Sequence, residues 1–140
     1  MVMNIRRLTP DDLALALEKM PRIKPGVITD RLQYFLAGEQ NFLVVALINE
    51  QIAGYALGYK LARIAGDAHM LYIHELEVAE QFHRQGVGSA LIAHLRKICE
   101  NGKLVKGFLI TQASNSAAVN LYKNTGAHQV HEDDIVFVYG

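Results

Sequence analysis

Two glutamates stand at alternate positions in the middle of the chain, where they could take part in proton transfer. Glu75 and Glu77 lie in the apolar stretch LYIHELEV, which predicts a β-strand beginning at Leu71. Residues i and i+2 of a regular strand point to the same side, about 7 Å apart, unless a bulge turns one aside. A carboxylate there can accept a proton from an ammonium group, directly or through water. One of the two could instead simply face solvent at the strand end. We predict that at least one is functional and favour Glu75 as the base.

Directly after this strand, the sequence HRQGVG at positions 83–88 opens a segment whose apolar residues recur at helical spacing. Gly86 and Gly88 lack side chains that would keep a ligand away from the backbone, and the first turn of a helix has unpaired N–H groups that bind anions. Glycine pairs also mark ordinary turns. The spacing differs from the dinucleotide-binding fingerprint and from the phosphate loop of nucleotide-binding proteins. We predict that this turn binds the pyrophosphate of a coenzyme.

His74 is a second candidate base, because the pKa of an imidazole lies near neutrality. We favour the alternative, in which His74 is a packed and hydrogen-bonded strand residue. The other histidines are dispersed at positions 69, 83, 94, 128 and 131, and no pair has the spacing of metal ligands with convincing partners. We therefore predict that the protein uses no metal.

Hydrophobic periodicity and turn residues predict the elements that must position these groups. The predicted strands are Met3–Leu8, Asn41–Ile48, Ile52–Ala62, the strand from Leu71, Val105–Gln112 and Ile135–Tyr139, the last with Gln129–His131 as a candidate partner. The predicted helices run from Thr9 to Met20, from Thr29 to Ala37, from the glycine turn to Asn101-Gly102, and from Asn115 to Thr125. A strand–helix–strand crossover requires a parallel pairing, so the sheet should be mixed and covered by helices. Gly54 and Gly58 indicate a place where something large packs closely or the strand bends.

Composition narrows the classes of protein. With 140 residues, 51% hydrophobic and 20% charged, the chain fits one globular domain. Lys plus Arg equals Asp plus Glu at 14 each, which gives no basic surface to suggest nucleic acid. No run is long and apolar enough for a signal peptide or a membrane span. The single cysteine, Cys99, cannot form an internal disulfide, which favours a reducing compartment. From these two observations together we predict a soluble, cytoplasmic protein with no membrane partner.

The glycine turn and the last predicted helix together resemble a known family. The pattern of Arg or Gln, two residues, Gly, one residue, then Gly or Ala resembles the acetyl-coenzyme A motif of the Gcn5-related N-acetyltransferase (GNAT) family. Gly86 and Gly88 match it, whereas His83 stands where Arg or Gln is usual. A later stretch resembles the family pattern N-x-x-A-x-x-L-Y-x-x-x-G through Asn115, Ala118, Leu121, Tyr122 and Gly126. The resemblance covers essentially the whole chain, although the first third matches only in the order of its elements.

This resemblance implies a fold and a set of site residues. The fold is the GNAT α/β fold in a single domain over 1–140, with a mixed central sheet of six to seven strands flanked by about four helices. Acetyl-coenzyme A would be the cosubstrate, with direct transfer to an amine in a ternary complex. The predicted coenzyme-binding residues are Val78, His83, Arg84, Gln85, Gly86, Val87, Gly88, Ser89, Asn115 and Tyr122.

The resemblance also implies catalytic roles. Glu75, aided by Glu77 and water, would accept the amine proton, and the backbone near Val78 would polarise the thioester carbonyl. In many enzymes of the family the tyrosine corresponding to Tyr122 protonates the departing thiolate, and the residue at Asn115 contacts the pantetheine arm. From its position on an apolar helix face alone, Tyr122 could equally be an ordinary core residue.

The acceptor is predicted from a narrower similarity. The stretch YIHELEVAEQFHRQGVGSALI and the strand end Thr111-Gln112-Ala113 are similar to the aminoglycoside 3-N-acetyltransferases, which implies the 3-amino group of an aminoglycoside antibiotic as acceptor and a role in antibiotic resistance. Ribosomal-protein N-terminal acetyltransferases commonly have a glutamate where this chain has Ile110, which argues against a protein N-terminus. The acids expected to bind the acceptor are Glu75, Glu132, Asp133 and Asp134, although the last three would ordinarily form a solvated turn.

Two other functions stay open. One is an N-acetyltransferase for another small amine, such as a polyamine or an amino-acid derivative. The other is a non-catalytic domain that senses acyl-coenzyme A, which is disfavoured because the sequence retains both Glu75 and Tyr122. In each case the expected partner is a small molecule, and a homodimer is compatible with exposed strands.

Overall fold

The computed structural model describes residues 2–101 and 104–140. The chain divides into two compact units, Met1–Ile110 and Thr111–Gly140. That the whole chain acts as a single domain stays a prediction. No helix in the described part of the chain combines the length and the apolar composition that crossing a membrane requires.

The first unit is built on a five-stranded sheet. In sheet order, which is also chain order, the strands are β1 (Met3–Arg7), β2 (Asn41–Ile48), β3 (Gln51–Leu61), β4 (His69–Val78) and β5 (Leu104–Leu109). The first four strands pair antiparallel, and β4 pairs parallel with β5. A parallel pair needs a crossover, which here contains a helix. The predicted mixed sheet is therefore confirmed.

The hairpin between β2 and β3 is tighter than the sequence suggested. Ile48 pairs with Gln51, so only Asn49 and Glu50 form the turn rather than three residues. Both adopt left-handed backbone conformations, with φ of 51° and 62°. Two consecutive positive φ angles are the geometry whose twist matches that of the flanking strands.

Two helices pack against one face of the sheet. They are α1 (Leu13–Lys19), which a 3₁₀ turn at Pro10–Asp12 precedes, and α2 (Thr29–Ala37), whose bounds agree with the prediction. Buried side chains from both helices and the sheet form one cluster, composed of Leu8, Ala16, Met20, Leu32, Leu36, Leu43, Val45, Ile52 and Tyr55.

The third helix, α3 (Val87–Asn101), packs on the opposite face. A Cβ atom on Gly54 would lie 2.8 Å from Val87 Cγ1 and 3.3 Å from Leu91 Cδ1. Because successive strand residues face opposite sides, Gly54 meets α3 while Tyr55 joins the α1–α2 cluster. The expectation that something large packs against Gly54 is therefore correct. The predicted helix end at Asn101-Gly102 is met at Asn101, and Gly102 lies outside the described residues.

The second unit contains α4 (Ser116–Asn124) followed by an extended, exposed segment. The prediction of a closing strand at Ile135–Tyr139 is wrong, as is its pairing with Gln129–His131. In the described residues this segment forms no strand pairing, and every residue in 126–140 is exposed. A short apolar run is compatible with a β-strand, but a β-strand forms only when a neighbouring strand pairs with it. The sheet consequently has five strands rather than six to seven.

Candidate active site

The carboxyl half of β4 has one free edge. The parallel pairing with β5 runs from His69 to Ile73, where Ile73 faces Leu109, and β4 continues to Val78. Within the described part of the chain, no strand lies beside β4 on that side after Ile73. The predicted strand Val105–Gln112 therefore ends earlier than expected, at Leu109.

The backbone of Val78 points toward this free edge. Ala79 N–H donates to the Ala53 carbonyl at 2.8 Å, so Ala79 directs its polar backbone groups toward β3. Residues of an antiparallel strand alternate in this respect, so Val78 directs its N–H and C=O away from β3. Its carbonyl lies 2.8 Å from His83 Nε2, which donates to it in the tautomer that carries the proton there. The Val78 N–H is left facing the open side.

The glycine turn follows this strand end directly. Arg84 and Gly86 have φ of 63° and 80°, a conformation that glycine adopts at little cost. A Cβ on Gly86 would meet no atom within 4 Å, so the turn needs glycine here for its backbone conformation rather than for space. Ala90 N–H donates to the Gly86 carbonyl at 3.0 Å.

The N–H groups of Val87, Gly88 and Ser89, which precede Ala90 at the start of α3, have no partner inside the helix. Such N–H groups can bind an anion, and that this turn binds a pyrophosphate stays a prediction. Next to them, the exposed Gln85 donates its side-chain amide to the Gln81 carbonyl at 3.3 Å. The structure thus brings the predicted residues of 78 and 83–89 to one end of β4.

Both candidate glutamates reach one tyrosine. Tyr55 Oη lies 2.9 Å from Glu75 Oε1 and 3.2 Å from Glu77 Oε2, so the two carboxylates share a side of the sheet as predicted. A β-bulge is present, but it lies before Glu75 in the strand, since Leu57 pairs with Glu75 and Gly58 pairs with Ile73. It therefore does not turn Glu75 and Glu77 to opposite sides. A phenol has one proton to donate, so Tyr55 bonds one ionised carboxylate at a time.

Lys24 holds Glu75 from the segment between α1 and α2. Its Nζ donates to Glu75 Oε1 at 2.9 Å and to Oε2 at 3.2 Å. Burial raises the pKa of Glu75, but the hydrogen bonds from Lys24 and Tyr55 outweigh burial and leave that pKa below its usual value. Burial, reinforced by the hydrogen bond to Glu75 and its charge, raises the pKa of Tyr55. Glu75 is therefore ionised at neutral pH and Tyr55 is protonated.

His74 belongs to an aromatic group beside Glu75. Its ring centroid lies 5.9 Å from that of Tyr59 and 5.7 Å from that of Tyr72, which in turn stacks on Phe108 at 5.1 Å. His74 Nδ1 is 3.9 Å from Glu75 Oε2. These rings give the Glu75 side of the sheet an aromatic wall, although the His74 side chain is 48% exposed. The interpretation of His74 as a packed and hydrogen-bonded strand residue stays a prediction.

The remaining predicted residues lie in the second unit. Asn115 caps α4, because its Oδ1 accepts a hydrogen bond from Ala118 N–H at 3.2 Å. Tyr122 is half-buried, and burial raises the pKa of its phenol, which keeps the proton available. The acidic residues Glu132, Asp133 and Asp134 are exposed.

Across 2–101 and 104–140, no three His, Cys, Asp or Glu side chains come together as a metal site would require. The absence of a metal in the working protein stays a prediction.

The free strand edge, the glycine turn at the start of α3 and the two neighbouring carboxylates are accompanied by a clear family match. Residues 11–127 match the Acetyltransferase (GNAT) family. The chain belongs to this family. The GNAT chain is 29% identical over 114 residues to N-alpha-acetyltransferase 60 of Xenopus tropicalis, covering 74% of this chain and 47% of that protein. It is 28% identical over 108 residues to an N-alpha-acetyltransferase of Sulfurisphaera tokodaii, covering 69% and 65%. The GNAT chain thus spans between about half and two thirds of the length of these relatives.

Solved structures share the fold across nearly the whole GNAT chain. An aminoglycoside acetyltransferase, meta-AAC0020, from an uncultured soil metagenomic sample in complex with sisomicin superposes with a TM-score of 0.83 at 23% identity, covering 99% of this chain and 95% of that one. The aminoglycoside N-acetyltransferase AAC(6')-Iy in complex with CoA gives 0.77 at 16% identity, covering 99% and 95%. These likenesses confirm the predicted fold class.

Sequence reasoning missed two contributors to this site in the GNAT protein, Tyr55 and Lys24, and it did not anticipate the contact that His83 makes. Tyr55 could have been found, because it lies at the alternate-residue spacing of one face of a predicted strand that neighbours the glutamates. His83 was predicted to bind the coenzyme despite its departure from the family motif, and its contact with the Val78 carbonyl at the end of β4 was not foreseen. Lys24 left no signal, since it lies 51 residues from Glu75 in a segment without periodicity.

Proposed function

We propose that this GNAT protein transfers an acetyl group from acetyl-coenzyme A to a primary amine. The observation that carries the proposal is the position of the Val78 N–H, which faces an open strand edge between the anion site and the carboxylate of Glu75. An N–H donor, an anion site and a base in this order match the parts of one acyl-transfer reaction: a carbonyl to polarise, a phosphate to hold and an amine to deprotonate.

The turn at the start of α3 fits a pyrophosphate. Its left-handed Gly86 leaves open space at the backbone, and the N–H groups of the first helical turn are free to donate. A pantetheine arm can align with the free edge of β4, where it would take the place of a neighbouring strand. When bound, the thioester supplies the activated acetyl group. The residues proposed to hold the coenzyme are Val78, His83, Arg84, Gln85, Gly86, Val87, Gly88, Ser89, Asn115 and Tyr122.

In the proposed reaction Glu75 accepts a proton from the acceptor ammonium, with Glu77 and water passing it onward. The Val78 N–H donates to the carbonyl oxygen as the amine nitrogen attacks. Tyr122, which burial keeps protonated, donates its phenolic proton to the departing sulfur. The hydrogen bond from Tyr55 positions Glu75 for its part.

For the acceptor we propose the 3-amino group of an aminoglycoside. The likeness of the fold to aminoglycoside acetyltransferases supports this choice. So does the chemistry of the site, because carboxylates beside an aromatic wall suit a polycationic sugar. The exposed acids Glu132, Asp133 and Asp134 are proposed to add to that attraction.

A second candidate acceptor is the α-amine of a peptide. The relatives that match in sequence are named N-alpha-acetyltransferases, which favours this acceptor despite Ile110. The ammonium of Lys24 at Glu75 also favours an acceptor that carries few positive charges. Another small amine, such as a polyamine or an amino-acid derivative, is the remaining enzymatic alternative.

A binding and transfer experiment tests these proposals in sequence. Acetyl-coenzyme A should raise the thermal unfolding temperature of the protein, and the lack of any rise would remove the proposed coenzyme site. Release of free coenzyme A is then measured with sisomicin, with an aminoglycoside whose 3-amino group is blocked, and with peptides bearing free or blocked N-termini. Release that requires the free 3-amino group supports the aminoglycoside, and release only with free peptides supports the second candidate. Binding without transfer to any amine would indicate a sensor.

A further inference from the structure

The amine that the structure holds against Glu75 belongs to the protein itself. Lys24 Nζ donates to both oxygens of that carboxylate, at 2.9 and 3.2 Å. It also lies 5.9 Å from the centroid of the Tyr55 ring, over which a cation is attracted. The Lys24 backbone N–H donates to the Met20 carbonyl at 2.8 Å, which ties the segment to the end of the preceding turn. Lys24 is therefore held both at its backbone N–H and at its side-chain ammonium.

This arrangement matches what the proposed reaction requires of its acceptor. The acceptor must present an ammonium to Glu75, give up a proton there and lie open to the acetyl donor. The side chains of Lys24 and Glu75 are 38% and 32% exposed, so protein atoms do not fully enclose Nζ. We propose that Lys24 is itself an acetyl acceptor, and that the protein acetylates the Lys24 amine within its own chain. The inference rests on the proposed acetyl transfer and extends it to a modification site.

The step balances without any further reactant. The Lys24 ammonium gives one proton to the Glu75 carboxylate, and the neutral amine nitrogen attacks the acetyl carbon. A C–N bond forms and the C–S bond to coenzyme A breaks. The nitrogen loses its second proton as the amide forms, and the departing sulfur takes up one proton, so the net proton released is the one on Glu75. The products are N-acetylated Lys24 and free coenzyme A.

Selectivity follows from the surroundings of the other lysines. Among the described residues, Lys24 is the lysine whose ammonium bonds a carboxylate. Lys19, five positions earlier, donates instead to the Glu50 backbone carbonyl, which cannot serve as a base. Acetylation would also change the site, because an amide carries no charge and cannot form the ion pair. Glu75 would then be left for an external acceptor.

The experiment uses the full chain with acetyl-coenzyme A and no acceptor. Intact-mass measurement should show the addition of one acetyl group, and peptide mapping should place it on Lys24. Lys24→Arg keeps a positive charge at Glu75 and should abolish the modification. Glu75→Gln should slow it about 100-fold, which is the scale of a lost general base. Lys19→Arg is the matched control and should be modified at the wild-type rate.

The kinetics separate this reaction from chemical acetylation by the thioester. The first-order rate constant should not depend on protein concentration, because donor site and acceptor share one chain. Modification spread over several lysines, an unchanged rate in Glu75→Gln, or a rate that rises with protein concentration would overturn the inference. If acetyl-coenzyme A stabilises the protein while Lys24 stays unmodified, the inference alone fails. If acetyl-coenzyme A gives no stabilisation, the proposed function fails together with it.

Discussion

Glu75 is tuned by hydrogen bonds that come from distant parts of the chain. Burial alone would make this carboxyl harder to ionise, but Lys24 and Tyr55 donate to its ionised form and reverse the direction of the shift. His74 faces the same carboxylate at 3.9 Å and adds to the effect when it is protonated. A carboxylate so stabilised has a lower affinity for protons and stays ionised to lower pH than an unperturbed glutamate.

This predicts a change in the pH dependence of catalysis when Lys24 is replaced. In a pH profile of kcat/KM, the fall on the acidic side, the acidic limb, marks the pH at which the base of the free enzyme becomes protonated, and we assign this base to Glu75. Because the pKa of Glu75 is lowered while Lys24 is unmodified, that limb lies at lower pH than an unperturbed glutamate would give, and Lys24→Met should move it to higher pH. Tyr55→Phe removes one hydrogen bond and should move it in the same direction. Profiles are compared with one acceptor, whose own ionisation is common to all variants.

Unchanged acidic limbs in both variants would show that Glu75 is not the base.

The lowered pKa of Glu75 should also make the free energy of unfolding depend on pH. The folded-state pKa lies below the unfolded value, so the stabilising contribution of ionised Glu75 is present above the unfolded pKa and is lost as the pH falls through the folded pKa. The side chain is one-third exposed, so solvent reduces the size of this effect.

At the scale of elements, the turn before α3 depends on one glycine for its backbone. Gly86→Ala creates no clash, but alanine at φ of 80° should cost about 1–2 kcal/mol of stability. It should also weaken acetyl-coenzyme A binding, because a relaxed turn moves the N–H groups of the anion site. Gly26→Ala is the matched control, since Gly26 has φ of 87° and equally open surroundings.

Urea unfolding and calorimetric titration measure the two effects. Gly26→Ala should lose similar stability while its affinity for acetyl-coenzyme A stays at the wild-type value. Equal affinities in both variants would contradict the placement of the pyrophosphate at Gly86.

The packing of α3 on the sheet gives a separate prediction. Gly54→Ala would place a Cβ 2.8 Å from Val87 Cγ1 and 3.0 Å from the Glu77 carbonyl oxygen. The backbone oxygen cannot move aside freely, so overpacking should cost about 1–3 kcal/mol. At Gly107 a Cβ would approach Cys99 Sγ at 3.6 Å, an ordinary contact, and Gly107→Ala should cost clearly less. Urea unfolding of the two variants compares them directly, and equal stability losses would refute the packing argument.

The extent to which each element could be predicted follows from how local its determinants are. The helix Thr29–Ala37 and the strand Asn41–Ile48 have the predicted bounds because periodicity and flanking glycine or asparagine define them within a few residues. The glycine turn is equally local. Ile135–Tyr139 has the composition of a strand, but strand formation depends on a distant partner that composition does not report. The ion pair of Lys24 with Glu75 joins positions 51 residues apart and exists only because the chain folds back.

For the whole molecule, the coenzyme prediction spans both compact units. Val78 and the first turn of α3 belong to the first unit, whereas Asn115 and Tyr122 belong to the second. Saturating acetyl-coenzyme A, at about 100 times its Kd, should stabilise the protein by about 2.7 kcal/mol. Amide hydrogen exchange should slow at the residues of both units, while α2 serves as an internal reference. Slowing confined to the first unit would remove Asn115 and Tyr122 from the coenzyme site.

The open edge of β4 has a consequence for handling the protein. An unpaired strand edge is a template on which another chain can add by hydrogen bonding, and this leads to aggregation. From His74 to Val78 the edge lacks a neighbouring strand in the described residues, and the charges of Glu75 and Glu77 partly protect it. A ligand that lies along this edge would occupy the same hydrogen-bonding groups. The proposed binding of coenzyme A along this edge therefore predicts that coenzyme A slows aggregation of concentrated samples, which light scattering during storage with and without coenzyme A would measure.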